Sequence, residues 1–145
     1  MILIKQIAPE ETFAVRHPVL RPGKPLEACV FDGDNLPDTI HFGLYDDDNL
    51  GGVASLFKAV NPAFKEERQL QLRGMAVLPA YRNKGFGEKL VQAAEAYAIS
   101  GGTGLIWFNA REAAVGFYEK MGYKKTGARF VIQDIGPHYV MYKIL

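Results

Sequence analysis

The run RNKGFG, Arg82 to Gly87, constrains this chain more than any other stretch. Strand-forming residues lead into it (LQLRGMAV, Leu70 to Val77), and an apolar series at helical spacing follows, Leu90, Val91, Ala94 and Ala98. Two glycines between a strand and a helix let the backbone turn sharply and approach a ligand closely. The first four N–H groups of a helix lack intrahelical partners, and the helix dipole adds about half a positive charge there. With Arg82 and Lys84 at the rim and no acid before Glu88, the turn suits a phosphate chain.

Any such preference is local. Seventeen Lys and Arg against 16 Asp and Glu leave a net charge of +1, which gives no general attraction to nucleic acid or to an anionic membrane. At 145 residues the chain is expected to form one domain over 1–145, burying roughly 70% of the surface of its unfolded form. The lone Cys29, in the apolar stretch ACVF, reads as a small core hydrophobe and fits a reducing compartment. The amino terminus lacks the apolar core of a signal peptide, and no run approaches the roughly 20 apolar residues that span a bilayer. A cytoplasmic location is expected.

Familiar nucleotide and metal motifs do not fit. A dinucleotide fingerprint needs glycine at Leu90, and the P-loop pattern GxxxxGK[ST] is absent. A Ca²⁺ loop beginning at Asp46 fails at Leu50 and Phe57, and His17, His41 and His138 lack metal-ligand spacing. No metal is expected.

Periodicity supplies the remaining elements. ILIKQI reads as a strand, and PEETFAVRH as a short helix that Pro18 stops. The Pro-, Gly- and Asp-rich stretch from Leu20 to Asp38 reads as a loop holding at most a brief strand at Ala28 to Phe31. TIHFGLYD, with Ile40, Phe42 and Leu44 on one face, pairs with LGGVASLFKAV as a hairpin. Strict alternation along LQLRGMAV puts Leu70, Leu72, Gly74 and Ala76 on one face and Gln71, Arg73, Met75 and Val77 on the other. LIWFN is a further strand, and Ala114, Phe117, Tyr118 and Met121 mark an amphipathic helix that ends at Gly122. YKKTG, FVIQD and YVMYKI then read as three short strands. The class is α+β, and exposed strand edges leave a homodimer open.

RNKGFG matches the [Q/R]xxGx[G/A] signature of the GNAT superfamily of N-acetyltransferases, and LRGMAVLPAYRNKGFGEKLV resembles that family's strand, loop and helix. LIWFNAREAAVGFYEKMGY is similar to its next strand and helix, so the resemblance covers about Leu70 to Tyr123. It implies a mixed, mostly antiparallel sheet with a central splayed parallel strand pair, flanked by helices. It also implies an acetyl-CoA-dependent N-acetyltransferase acting on a primary amine of a small molecule or a protein, by direct attack in a ternary complex. The alternative is a non-catalytic sensor of acyl-CoA.

By the same resemblance the coenzyme lies where the strands Leu70–Val77 and Leu105–Asn109 splay apart, with Gly74 marking a bulge. Backbone groups of Met75, Ala76 and Val77 would hold the pantetheine arm. Arg82 and the stretch Asn83, Lys84, Gly85, Phe86, Gly87 and Glu88 would take the pyrophosphate. Asn109 and Phe117 complete the coenzyme side, although Asn109 can instead cap the next helix.

Tyr118 matches the family's proton donor to the leaving sulfur; phenol near 10 and thiol near 8.5 leave a mismatch of about 2 kcal/mol. Its spacing also suits an ordinary core aromatic. The base is open between a water-mediated route and His138, which can equally serve a turn or the core. Arg73 reads as a carboxylate anchor for substrate or as a structural partner of Glu66, Glu67 or another acid. His41, Arg16 and Arg21 could line the acceptor side or be ordinary surface residues, and Trp107 reads as core.

Overall fold

The computed structural model describes Met1–Leu145. Seven strands form one sheet: β1 (Ile2–Ile7), β2 (Ile40–Asp46), β3 (Asn49–Lys58), β4 (Gln69–Val77), β5 (Leu105–Arg111), β6 (Lys124–Ile132) and β7 (Gly136–Ile144). Their spatial order is β1-β2-β3-β4-β5-β7-β6, and every neighbouring pair is antiparallel except β4 and β5. Helices α2 (Phe86–Ser100) and α3 (Val115–Lys120) cover one face. Helix α1 (Phe13–Leu20) covers part of the other, where Val15 packs with Val53 and Ala76.

The expected periodicities hold where elements are regular. Leu90, Val91, Ala94 and Ala98 form the buried stripe of α2, and Phe42 and Leu44 of β2 meet it from the sheet. Gly122, with φ 94°, follows the last turn of α3.

Four local expectations change. Pro18 does not stop α1, which runs on to Leu20. A proline lacks an N–H and clashes one turn back, but here only the last turn follows it, and the fully buried Val15 and Arg16 hold the helix to the sheet. Leu26–Cys29 is a 3-10 turn, and no strand forms at Ala28 to Phe31. Its backbone is served by side chains: the Cys29 carbonyl accepts from Arg16 Nη1 (2.8 Å), and the Phe31 N–H donates to Asp34 Oδ2 (2.9 Å). The three short terminal strands are two long ones, because the irregularity at Gly127 is absorbed as a register shift between Thr126 and Phe130.

The fourth change lies in β4. Val53 opposes Ala76 and Ser55 opposes Arg73, so two residues, Gly74 and Met75, face the single Ala54. This is a β-bulge, and Gly74 takes φ 66°, which a side chain would resist. The extra residue inverts the alternation. Leu70 and Leu72 pack toward α2, as do Met75 and Val77, whereas Ala76 joins Val15 on the α1 face.

Candidate active site

Strands β4 and β5 stay paired only from Gln69–Leu105 to Gln71–Trp107, and then diverge. The bulge at Gly74 turns β4 away, while β5 remains bound to β7 along its full length. A cavity of about 460 Å³ fills the gap. On the α2 and α3 face its walls include Met75, Ala114 and Tyr118; on the α1 face they include Gln71, Arg73, Asn109, Arg111 and His138. Arg21, Phe31, Ile132 and Ile135 close the latter side.

Beside the cavity, Gly85 caps α2 with φ 77° and Asn83 is also left-handed, with φ 63°. The first backbone bond of the helix is Lys89 N–H to the Gly85 carbonyl. None of the backbone N–H groups from Asn83 to Glu88 has an acceptor in the protein. Arg82 lines the cavity and donates from Nε to the Val77 carbonyl at 3.2 Å. Lys84 lies over the Tyr81 ring (5.6 Å). The Phe86 side chain is buried and stacks on Tyr81, so only its amide is free to meet a ligand. Phe117 does not line the cavity; its ring packs on the first turn of α2, where a Cβ at Gly87 would lie 3.3 Å from Phe117 and 3.4 Å from Met75. Ala76 and Val77 lie outside the lining, although the β4 edge that faces β5 has no strand partner there.

Tyr118 and His138 both line this one cavity, from opposite faces of the sheet. Tyr118 is 7% exposed, and burial drives its phenol well above the ordinary tyrosine value. The gap to a thiol is therefore wider than free-solution values imply, and the hydroxyl stays protonated. His138 is 4% exposed, stacks on Phe130, and places Nδ1 2.7 Å from the Gly136 carbonyl. A carbonyl only accepts, so Nδ1 carries a hydrogen, and it is Nε2 that presents the lone pair in the neutral tautomer. Arg16 Nε is the one fully buried side-chain nitrogen or oxygen without a partner. The Tyr118 hydroxyl and His138 Nε2, which make no protein hydrogen bonds, therefore retain access to solvent.

His41 is elsewhere. It is 3% exposed and lines neither this cavity nor its neighbour. Its Nε2 donates to the Asp34 carbonyl (3.0 Å) and its Nδ1 accepts from Ser55 Oγ (2.6 Å), so neither ring nitrogen is left for a substrate. Arg16, read from the sequence as an acceptor-side or surface residue, is fully buried and paired with Asp34 at 2.6 Å. Arg73 pairs with neither Glu66 nor Glu67; it lies between the rings of Phe31 (5.0 Å) and Phe57 (4.9 Å). Asn109 is an exposed strand residue opposite Val140, and Arg111, whose side chain makes no cap, occupies the entry to the turn before α3. Trp107 is 9% exposed and donates from Nε1 to the Ala59 carbonyl (3.0 Å). Phe31, Ile132 and Ile135 were not foreseen; the signal for Phe31 is a lone aromatic in a Pro-, Gly- and Asp-rich loop. No group of His, Cys, Asp and Glu suited to a metal is present, and no helix is long and apolar enough to cross a membrane.

Residues 6–123 match the acetyltransferase (GNAT) family. The chain is similar to YitI of Bacillus subtilis (strain 168), an uncharacterised N-acetyltransferase, with 37% identity over 145 residues, covering 100% of this chain and 97% of the relative. Among solved structures, an aminoglycoside 6'-N-acetyltransferase complexed with coenzyme A superposes with a TM-score of 0.78 at 18% identity, over 98% of this chain and 96% of that one. The ribosomal-protein-S18-alanine N-acetyltransferase from Escherichia coli gives 0.75 at 16%, over 99% and 94%. Both likenesses are of fold.

Proposed function

From the premise that the chain belongs to the acetyltransferase (GNAT) family, we propose that it carries an acetyl group from acetyl-CoA to a primary amine by direct attack in a ternary complex. The observation that carries this reading is the row of unpaired amides from Asn83 to Glu88 beside a cavity that crosses the sheet. Unpaired donors at a helix start, with Arg82 and Lys84 at the rim, match the several oxygens of a diphosphate. When bound, the coenzyme supplies an acetyl thioester, whose carbon the amine nitrogen attacks and whose sulfur leaves.

The chain's own groups do the rest. The free β4 edge after the bulge, at Met75, Ala76 and Val77, orients the pantetheine arm and offers donors to the developing oxyanion. Such donors are worth roughly 3 to 4 kcal/mol. His138 Nε2 takes the proton that the acceptor amine must lose, directly or through one water. Tyr118 gives a proton to the departing sulfur. The burial that raises Tyr118 disfavours a thiolate in the same cavity too, which narrows the gap between them.

An acyl-CoA sensor would need the amides but not an acid and a base meeting in one cavity. Calorimetry with acetyl-CoA, followed by thiol release with an amine panel, separates the two. Binding with amine-dependent release is expected; binding with no release from any amine supports the sensor, and no binding at all overturns both.

A further inference from the structure

Four arginines line the cavity, Arg21, Arg73, Arg82 and Arg111, and no aspartate or glutamate does. None of the four takes part in an ion pair. Arg82 is bound to the Val77 carbonyl near the start of α2. The other three belong to the opposite face: Arg21 follows α1, Arg73 precedes the bulge in β4, and Arg111 ends β5 beside His138.

Arg73 is held without being neutralised. Phe31 and Phe57 support its guanidinium, and its one hydrogen bond, from Nη1 to the Asp32 carbonyl, is long at 3.4 Å. Arg21 rests on the same Phe31 ring at 5.2 Å and bonds only the carbonyl of its neighbour Leu20. Aromatic faces fix the planes of these groups while leaving N–H donors unspent. Burial pushes the Arg73 guanidinium below its ordinary value, against the opposing pull of Asp34 and Asp32, which marks a cation short of solvent. No acid forms an ion pair with it. Asp34 is committed to Arg16 through both oxygens (2.6 and 3.1 Å), and Asp32 and Asp38 line an adjoining cavity that shares Arg73 and Gln71 with this one.

Resting on the acetyltransferase reading above, we propose that the acceptor is a small amine carrying its own oxyanion, held by Arg21 and Arg73 with Arg111 across the cleft while the amine reaches His138. The same field repels an acceptor whose far end is a second ammonium. A carboxylate and a phosphoryl group share this chemistry, since both accept paired N–H bonds from guanidinium.

The test uses the full chain with acetyl-CoA and a matched series of short primary amines ending in carboxylate, phosphonate, carboxamide or a second ammonium. An anionic member is expected to exceed its carboxamide counterpart in kcat/KM by about tenfold or more, and the better anion identifies the source. Arg73→Gln and Arg21→Gln should each remove most of that preference while coenzyme affinity, read by calorimetry, stays near wild type. Independently of turnover, glutarate should shift the Arg73 side-chain Nε–H resonance in NMR spectra, and glutaramide should not. A preference for the carboxamide or the diamine, or an Arg73 resonance that glutarate leaves unmoved, overturns the inference. If acetyl-CoA binds but no amine releases thiol, the transferase reading falls and takes the acceptor assignment with it, whatever glutarate does to the arginine.

Discussion

At the scale of single residues, the proposed chemistry rests on two side chains whose protons are placed by their surroundings. The Gly136 carbonyl sets the tautomer of His138, and burial keeps Tyr118 protonated. Tyr118→Phe keeps the ring that packs on Phe108 at 4.3 Å and removes only the hydroxyl that carries the proton. It should lower kcat by about tenfold or more with coenzyme affinity near wild type, measured by steady-state thiol release and calorimetry; unchanged kcat would remove Tyr118 from the acid role. The same burial predicts an alkaline limit to stability. Tyr123 is also raised, by burial first and then by its hydrogen bond to Glu95 (2.8 Å). Both phenols titrate near 10 in the unfolded chain and higher in the fold, so above about pH 10 the unfolded state binds fewer protons. Their contribution is complete below that pH and is lost as pH rises toward their folded values. Urea midpoints should fall above about pH 10, and less steeply in Tyr118→Phe; equal slopes would contradict the assignment. Tyr118 and His138 were legible in the sequence as candidates. His41 was misplaced because its type and spacing carry no sign of the Asp34 carbonyl and Ser55 hydroxyl that occupy it.

At the scale of elements, β4 decides the shape of the site. The bulge at Gly74 is real, and it moves Ala76 to the α1 face and Met75 to the α2 face, the reverse of what strict alternation predicts. A bulge adds one residue to a period of two, so every later side chain changes face. A Cβ at Gly74 would meet the Phe31 ring at 3.0 Å and Arg16 Nε at 3.3 Å, in a backbone conformation that L side chains resist. Gly74→Ala should therefore cost roughly 1 to 3 kcal/mol in chemical denaturation. Because Phe31 supports Arg21 and Arg73, the variant should raise the acceptor KM more than it weakens coenzyme binding. Wild-type stability would mean that the bulge relaxes without cost. The turn before α2 was legible for the opposite reason: its glycines, its cations and its unpaired amides all lie within a few residues of one another.

At the scale of the whole molecule, a buried polar chain ties α1, the loop after it and the sheet together. Arg16 pairs with Asp34 and donates from Nη2 to Ser55 Oγ (3.1 Å); Ser55 donates to His41, and His41 donates to the Asp34 carbonyl. Asp34→Asn leaves the fully buried Arg16 cation without its counter-charge and should cost about 3 to 5 kcal/mol, read as a lowered urea midpoint. A loss below about 1 kcal/mol would show that the chain is not needed to hold the loop under Phe31. The sequence by itself determined what neighbouring residues decide: the amphipathic stripe of α2, the hairpin of β2 and β3, and a glycine-rich, cationic turn at the start of α2. Spacing and backbone freedom are local properties, visible within one or two turns of chain. The tertiary structure alone decided which residues face one another across the splayed strands, that Arg16 and His41 are buried together, and that three arginines gather on one face without an ion pair. Those outcomes depend on burial and charge among residues far apart in the chain, where the field at each group is set by what folding removes from water.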